Sequence, residues 1–348
     1  MKASVILPTF DHGDMIQFAI ESLLRQTHQD FELFVIGDGA VAETDRIMDE
    51  YQKKDARVRY FKHPKDSRLG EIYRHPILMH EASGDFVCYL ADDDLYLENH
   101  LELVAQELQR VDFTHTLPVK ILSDGSYYVW QLNLEFDYYR QLLLNGENRT
   151  PLSMVAHTMK LYKSLPYGWR TTPQDVPTDL YMWQQILEQE NVKASSLFVP
   201  SVLHFASSDR QGLDNRIRFM EIKNFYQQIK DPVELSKIKA NINQAHQQAG
   251  VIFELKAQQN FMQCQAQQAK IFEAEIGKQQ LALKHCQEDL IQVKSELVTI
   301  TRQNELLGID LQKCSDELNS INRSRAYRWA VKLREALKRF PMIKKILR

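Results

Sequence analysis

Three consecutive carboxylates, Asp92-Asp93-Asp94, follow directly on a short apolar run, Phe86-Val87-Cys88-Tyr89-Leu90. Adjacent like charges repel, and a core strand gains nothing by ending on them. The pattern makes chemical sense if a positive group sits there, such as a divalent cation with oxygen ligands that itself holds a diphosphate. A solvated acidic turn is the plain alternative, and the triplet alone does not separate the two. Two other polar segments occupy comparable places. Pro8-Thr9-Phe10-Asp11 follows the apolar run 4–7, and Gly37-Asp38-Gly39 follows 31–36.

The elements that must position these residues alternate in type. Runs 4–7, 31–36, 58–61 and 86–90 read as strands, the first ended by Pro8. Residues 14–26 carry Ile16, Ala19, Ile20, Leu23 and Leu24 at helical spacing, and 44–51, 71–82 and 97–109 also read as helices. Pro76 is expected to break or kink the third of these. Repeated βα units predict a mostly parallel, twisted sheet with helices on both faces. Ligands in such sheets bind at the carboxyl ends of strands, which is where all three polar segments fall. Beyond residue 112 the pattern is less regular. Ser123-Asp124-Gly125-Ser126 between 119–122 and 127–131 predicts a hairpin, 179–187 a short helix and 197–203 a strand. An acceptor-binding half is expected here.

From about residue 251 Gly and Pro nearly vanish and a seven-residue register holds. Leu283, Leu290, Leu297, Asn304, Leu311 and Leu318 form one set, and Cys286, Val293, Ile300, Leu307, Cys314 and Ile321 fall three residues later. This predicts a coiled coil, with Asn304 as the one strongly polar core position, a residue that favours two strands. A long helix folded back on its own domain is the alternative. Net charge is −3, but residues 323–348 hold ten Lys/Arg against Glu335. That tail is therefore +9 and the remainder −12. Trp329, Leu333, Leu337 and Phe340 recur there at helical spacing, which predicts an amphipathic helix on an anionic membrane surface rather than a nucleic-acid contact. The four cysteines have no metal-ligand spacing and fit a reducing cytoplasm. No apolar run reaches the roughly 20 residues that cross a bilayer.

Ser4-Val5-Ile6-Leu7-Pro8-Thr9-Phe10-Asp11, then Ala19-Ile20-Glu21-Ser22-Leu23-Leu24-Arg25-Gln26-Thr27, then Asp30-Phe31-Glu32-Leu33 resemble the opening of family 2 glycosyltransferases. Ala82-Ser83-Gly84-Asp85, leading through 86–90 into the acidic triplet, does so as well. The resemblance covers about residues 1–210 and implies a GT-A fold: an α/β mixed sheet with helices on both faces, here followed by the long coiled-coil helix. It implies a metal-dependent, mostly inverting transfer of a sugar from a nucleotide-diphosphate donor. Mg²⁺ or Mn²⁺ would be held at the triplet, with Asp92 on the ribose and Asp93 on the metal. Asp94 is the alternative ligand, and His204 matches a third ligand in some members or a satisfied buried histidine. Pro8, Thr9, Asp11 and Asp38 would line the nucleotide pocket, and Arg68 or Arg74 would face base or phosphate. Asp179 would be the general base, with Asp175 as fallback; Thr178 or Asp179 also reads as a plain helix cap. Three positions depart from the family pattern: Gly37 and Thr178 replace acids, and Ala91 replaces an acid or Thr.

The organisation expected is a glycosyltransferase domain at 1–215, a helical linker at 216–250, a coiled coil at 251–322 and a basic tail at 323–348. The function expected is sugar transfer to a glycan or lipid-linked acceptor in bacterial surface polysaccharide or lipopolysaccharide synthesis. Such an enzyme would be cytoplasmic, self-associated through the coil and peripheral on the inner face of the membrane. Two rivals keep parts of this picture. A catalytically weak scaffold subunit would tolerate loss of the Asp triplet or Asp179, and both are present. A nucleotidyltransferase would carry a Lys or Arg in the first loop, and 8–13 has none.

Overall fold

The structure is a computed structural model. It describes residues 1–301 and, beyond them, Ser320, Trp329, Lys332 and Glu335. Asn304, the seam beyond Thr301 and nearly all of the basic tail lie outside the described residues.

The strands are β1 (Ala3–Thr9), β2 (Phe31–Asp38), β3 (Val58–His63), β4 (Phe86–Tyr89), β5 (Leu95–Tyr96), β6 (Phe113–His115), β7 (Val119–Ile121), β8 (Tyr127–Val129), β9 (Val155–Thr158), β10 (Ala194–Ser196) and β11 (Val202–Leu203). The helices are α1 (Ile16–Leu24), α2 (Ala42–Lys54), α3 (Arg74–His80), α4 (His100–Glu107), α5 (Asp137–Leu144), α6 (Met159–Ser164), α7 (Thr178–Leu187), α8 (Asn215–Lys230) and α9 (Pro232–Thr301).

Seven strands form one sheet in the order β10-β6-β9-β4-β1-β2-β3. All neighbours are parallel except β9, which runs antiparallel between β4 and β6. The mixed α/β architecture is therefore the one expected. Its strands are apolar on both faces because helices cover both, so the period of two sorts each strand into two cores. Val5, Leu7, Leu33, Val35 and Cys88 pack with residues of α1, α2, α4 and α8. Ile6, Phe34, Ile36, Val87 and Tyr89 pack with residues of α3, α6 and α7, including the fully buried Trp183.

Several local expectations are corrected. Pro8 does not end β1, which pairs on through Pro8 and Thr9. Pro76 neither breaks nor kinks its helix. The chain from Glu71 to Tyr73 is a 3₁₀ turn, α3 begins at Arg74, and Pro76 falls in the first turn, where backbone N–H groups have no intrahelical partner. Of the strand expected at 197–203 only β11, Val202–Leu203, forms; β10 ends just before it at Ser196, and Pro200 lies between the two. The hairpin at 119–131 forms as β7 paired antiparallel with β8. A small second ribbon pairs β5 with β11, Leu95 opposite Leu203. That pairing carries His204 back beside the acidic turn.

Two compact units divide the chain, Met1–Ala257 and Gln258–Arg348. Segment 216–250 is helical and belongs to the first. It packs on the domain because Phe219 and Tyr226 meet Phe18 (5.2 and 5.5 Å between ring centres) and because Ile238 and Ile242 are buried. In the second unit the described run from Gln258 to Thr301 is helical, with Met262, Ile271, Ile276 and Ile291 exposed. Trp329 stands edge-on to Phe272 there, at 5.5 Å. Among the described residues, no helix is long and apolar enough to cross a membrane.

Candidate active site

The acidic turn Ala91–Asp94 links β4 to β5 and separates two cavities. One, about 170 Å³, is lined by residues at the carboxyl ends of β1 and β2, including Pro8, Thr9, Asp11 and Asp38, together with Arg74 and Asp92. The other, about 220 Å³, is lined by Asp94, Asp179, His204, Asn148, Lys120 and Trp130 among others. Nine of the expected residues therefore line one cavity or the other, and Asp93 lies in the turn between them. Arg68 does not join them: its Nη2 donates to the carbonyls of Pro173 (2.8 Å) and Gln174 (3.3 Å), which pins one loop to another. Asp175 is exposed and lines neither cavity.

In the first cavity Asp38 is already engaged. Lys65 Nζ donates to its Oδ2 (2.5 Å) and the Asp66 amide to its Oδ1 (2.6 Å). Gly70 presses against it with φ of +64°, and a Cβ there would lie 2.6 Å from Asp38 Cγ. Gly70→Ala is therefore expected to lower stability by about 1–3 kcal/mol, through a left-handed backbone and a displaced carboxylate. A urea midpoint unchanged from wild type counts against that packing.

Arg74 is the most unusual group in this cavity. It is 4% exposed and stacks on Trp169 at 4.3 Å, and its Nε and Nη1 are buried with no hydrogen-bond partner. Burial holds its pKa below the usual arginine range, with Tyr89, Glu71 and Asp179 acting against that shift. A buried guanidinium left short of acceptors is costly, which points to an anion as the missing partner. Thr9 Oγ1, in the same cavity, is buried and unpaired as well.

The turn carries the densest charge. Asp92 Oδ1 meets His12 Nδ1 (2.7 Å), whereas Asp92 Oδ2 is buried without a partner. Asp93 Oδ2 accepts from Arg218 Nη2 (2.6 Å) and from Ser207 Oγ (3.1 Å). Asp94 accepts from Ser153 Oγ (2.5 Å) and the Phe205 amide (2.9 Å), and His204 Nδ1 lies 3.0 Å from both its oxygens. Burial opposes charge on His12, but Asp92 and Asp93 overcome it and raise the imidazole to about 9. Burial, then the Asp94 charge, raises Asp93 to about 6. His204 is also raised, since Asp94 outweighs the burial that opposes it.

Ligand atoms of His12, Asp92 and Asp93 lie within 4.8 Å of one another. With an orphaned carboxylate oxygen among them, two carboxylates and one imidazole fit Mn²⁺, and the carboxylates alone fit Mg²⁺. Asp94 and His204 fall outside that group and are bonded to each other.

Asp179 lies in the first turn of α7, but Pro177 is the N-cap and makes no side-chain cap bond. Asp179 Oδ1 accepts from Asn148 Nδ2 (3.0 Å) and the Leu180 amide (2.8 Å). Its Oδ2 makes no hydrogen bond among the described residues. Burial raises its pKa above the ordinary carboxylate value, against the bonds from Asn148 and Leu180.

Sequence reasoning missed His12, Asn148, Ser153 and Arg218. Arg218 had a legible signal: it shares the stripe of Ile222 and Tyr226 at four-residue spacing, and all three are buried. The other three lie in loops and turns whose spacing carries no such pattern.

A stretch of 128 residues is 34% identical to an uncharacterized glycosyltransferase of Rickettsia bellii, covering 36% of this chain and 18% of that protein. A stretch of 106 residues is 33% identical to the GalNAc(5)-diNAcBac-PP-undecaprenol beta-1,3-glucosyltransferase of Campylobacter jejuni, covering 30% of this chain and 34% of that protein. These matches thus span about a fifth to a third of the relatives' length. Among solved structures, S. aureus TarS 1-349 in complex with UDP-GlcNAc superposes with a TM-score of 0.49 at 17% identity, covering 65% of each chain. The profile of Glycosyl transferase family 2 matches residues 4–167, and that stretch of the chain is a domain of this family.

Proposed function

We propose that the protein transfers a sugar from a nucleotide-diphosphate donor to a glycan or lipid-linked acceptor, with inversion at the transferred carbon. The observation that carries this reading is the buried, under-bonded guanidinium of Arg74, in a cavity that also holds Thr9, Asp38 and Asp92. A departing diphosphate is an anion of the kind that guanidinium lacks, and negative charge grows on it as the sugar leaves. Arg74 would bind its oxygens, Thr9 Oγ1 would donate to the nucleotide, and Asp38 would orient the base.

His12, Asp92 and Asp93 would hold Mg²⁺ or Mn²⁺. When bound, the cation supplies positive charge to the leaving diphosphate. Across the turn, Asp179 would take the proton of the acceptor hydroxyl through its unengaged Oδ2. Its raised pKa makes it a stronger base than an ordinary aspartate. Asn148 holds that carboxylate in place through Oδ1. Direct attack by an acceptor hydroxyl deprotonated by Asp179 would displace the diphosphate in one step and so invert the transferred carbon. The Campylobacter relative is a GalNAc(5)-diNAcBac-PP-undecaprenol beta-1,3-glucosyltransferase by name, which supports a lipid-linked acceptor here. Self-association through 251–322 and docking of 323–348 on an anionic membrane belong to the same proposal. Light scattering on the full chain and liposome flotation test these two parts.

Thermal-shift screening of nucleotide sugars with Mn²⁺ tests the central reading. A ligand at 100 times its dissociation constant adds about 2.7 kcal/mol of stability, a readily visible shift. The cognate donor should shift the wild type and leave Arg74→Met unshifted at the same concentration. No shift with any nucleotide diphosphate sugar, or an equal shift in the variant, counts against the assignment.

A further inference from the structure

Arg218 stands outside the family domain, on α8, yet its guanidinium reaches the acidic turn. It is 7% exposed. Nη2 bonds Asp93 Oδ2 (2.6 Å) and Ser207 Oγ (3.1 Å), Nη1 lies 3.0 Å from His12 Nε2, and Nε is buried without a partner. Asp93 is its sole carboxylate partner among the described residues. The side chain thus rests on two of the three residues that would ligate a divalent cation.

The two cations compete for the same carboxylate. Ligation by Asp93 Oδ2 needs the lone pairs that Arg218 and Ser207 now engage, at a bond length near 2.0–2.6 Å. A guanidinium also cannot stay in hydrogen-bond contact with an oxygen that holds a doubly charged ion without strong repulsion. The rest of α8 does not depend on this contact. Phe219 and Tyr226 hold it to Phe18, and Phe225 packs edge-on against Phe205 at 5.3 Å. Loss of the Arg218 contact therefore leaves the helix docked.

We propose that Arg218 is a displaceable counter-ion. It neutralises Asp93 while the site is empty and must leave for the divalent cation to bind, so that α8 sets the affinity of the site for metal. The inference rests on the reading above that Asp92 and Asp93 hold Mg²⁺ or Mn²⁺. It makes a residue outside the family domain a determinant of cation loading. It also gives a reason why a turn with three buried carboxylates is tolerated before any ligand arrives.

The test measures Mn²⁺ binding to the full chain by titration calorimetry without nucleotide, with thermal melts to establish that each variant is folded. Arg218→Met should bind Mn²⁺ at least tenfold more tightly than wild type, and Asp93→Asn in the same background should abolish the gain. Arg216→Met removes the same charge from an exposed position on the same helix and should leave the affinity unchanged. If Arg218→Met does not fold, Arg218→Lys, which keeps the charge on a shorter reach, should show a smaller gain of the same sign. Equal or weaker binding in the Arg218 variants, with binding still dependent on Asp93, overturns the counter-ion and leaves the cation site intact. An equal gain in Arg216→Met reduces the effect to net charge and also overturns it. No Mn²⁺ bound by any variant at millimolar concentration removes the cation site itself, and the inference with it.

Discussion

Asp179→Asn is expected to slow sugar transfer by roughly 100- to 10,000-fold, the usual worth of a general base. The substitution keeps the shape of the side chain. Its amide oxygen still accepts from Asn148 and Leu180, so α7 and the cavity wall should be undisturbed. The group lost is Oδ2, the one carboxylate oxygen there without a hydrogen bond among the described residues. Donor binding should persist, because Asp179 lines the cavity on the far side of the acidic turn from Arg74 and Asp38. Single-turnover rates and donor titration of the same variant separate the two effects. A near wild-type rate shows that Asp179 only supports the first turn of its helix, while a lost donor affinity places it on the wrong substrate.

Acidification is expected to unfold the domain well before ordinary carboxylates titrate. Burial lowers His100 to about 3, and His115 and His157 each to about 4. All three are fully buried. His100 meets Ser201 Oγ, His115 meets Ser196 Oγ, and His157 meets the Tyr89 hydroxyl. In the unfolded chain each titrates near 6.5. Between about pH 6.5 and 4 the unfolded state therefore binds more protons, so stability falls as pH falls through this window. Asp93 opposes the trend. Raised to about 6, it gains its proton in the folded state over the same range, and Asp179 acts in the same direction. A net uptake of one to two protons on unfolding amounts to roughly 1.5–3 kcal/mol per pH unit. That is a large share of the 5–15 kcal/mol typical of a domain. His12, raised to about 9, and His204, also raised, oppose the trend until the unfolded chain's histidines are protonated, so the fall is confined to below about pH 6. Urea midpoints at pH 6, 5.5 and 5 should fall steadily, and His100→Gln should flatten the slope. A midpoint constant from pH 6 to 5 contradicts the prediction.

The first half of the sheet was legible because each strand there is an apolar run followed by its own helix. Short apolar runs, helical spacing and turn residues at strand ends all agree over residues 1–109. The second half was not. β9 is a four-residue strand, Val155-Ala156-His157-Thr158, inserted antiparallel between β4 and β6. Its histidine is buried by a hydroxyl partner on β4, which no local pattern announces. The 197–203 reading failed because only Val202–Leu203 of that segment pairs, and Pro200 separates it from β10, whose residues Ala194-Ser195-Ser196 are not an apolar run. Likewise, the cavity-lining carboxylates were found because they end strands or open helices. Arg218 and His12 were missed because their role depends on an approach across 206 positions of sequence.

The turn from Ala91 to Asp94 is a party wall with a carboxylate turned to each tenant. Asp92 belongs to one room and Asp94 to the other, two residues apart and fixed by the ribbon that pairs Leu95 with Leu203. Neither occupant can be an independent variable under such an arrangement. In the transfer proposed above, charge brought in on the donor side would be felt across a distance too short for solvent to screen. It would alter the field in which the acceptor hydroxyl meets Asp179. By linkage, whatever the first occupant did to the second, the second would return in equal measure. The coupling between the two occupants would then rest on a four-residue partition.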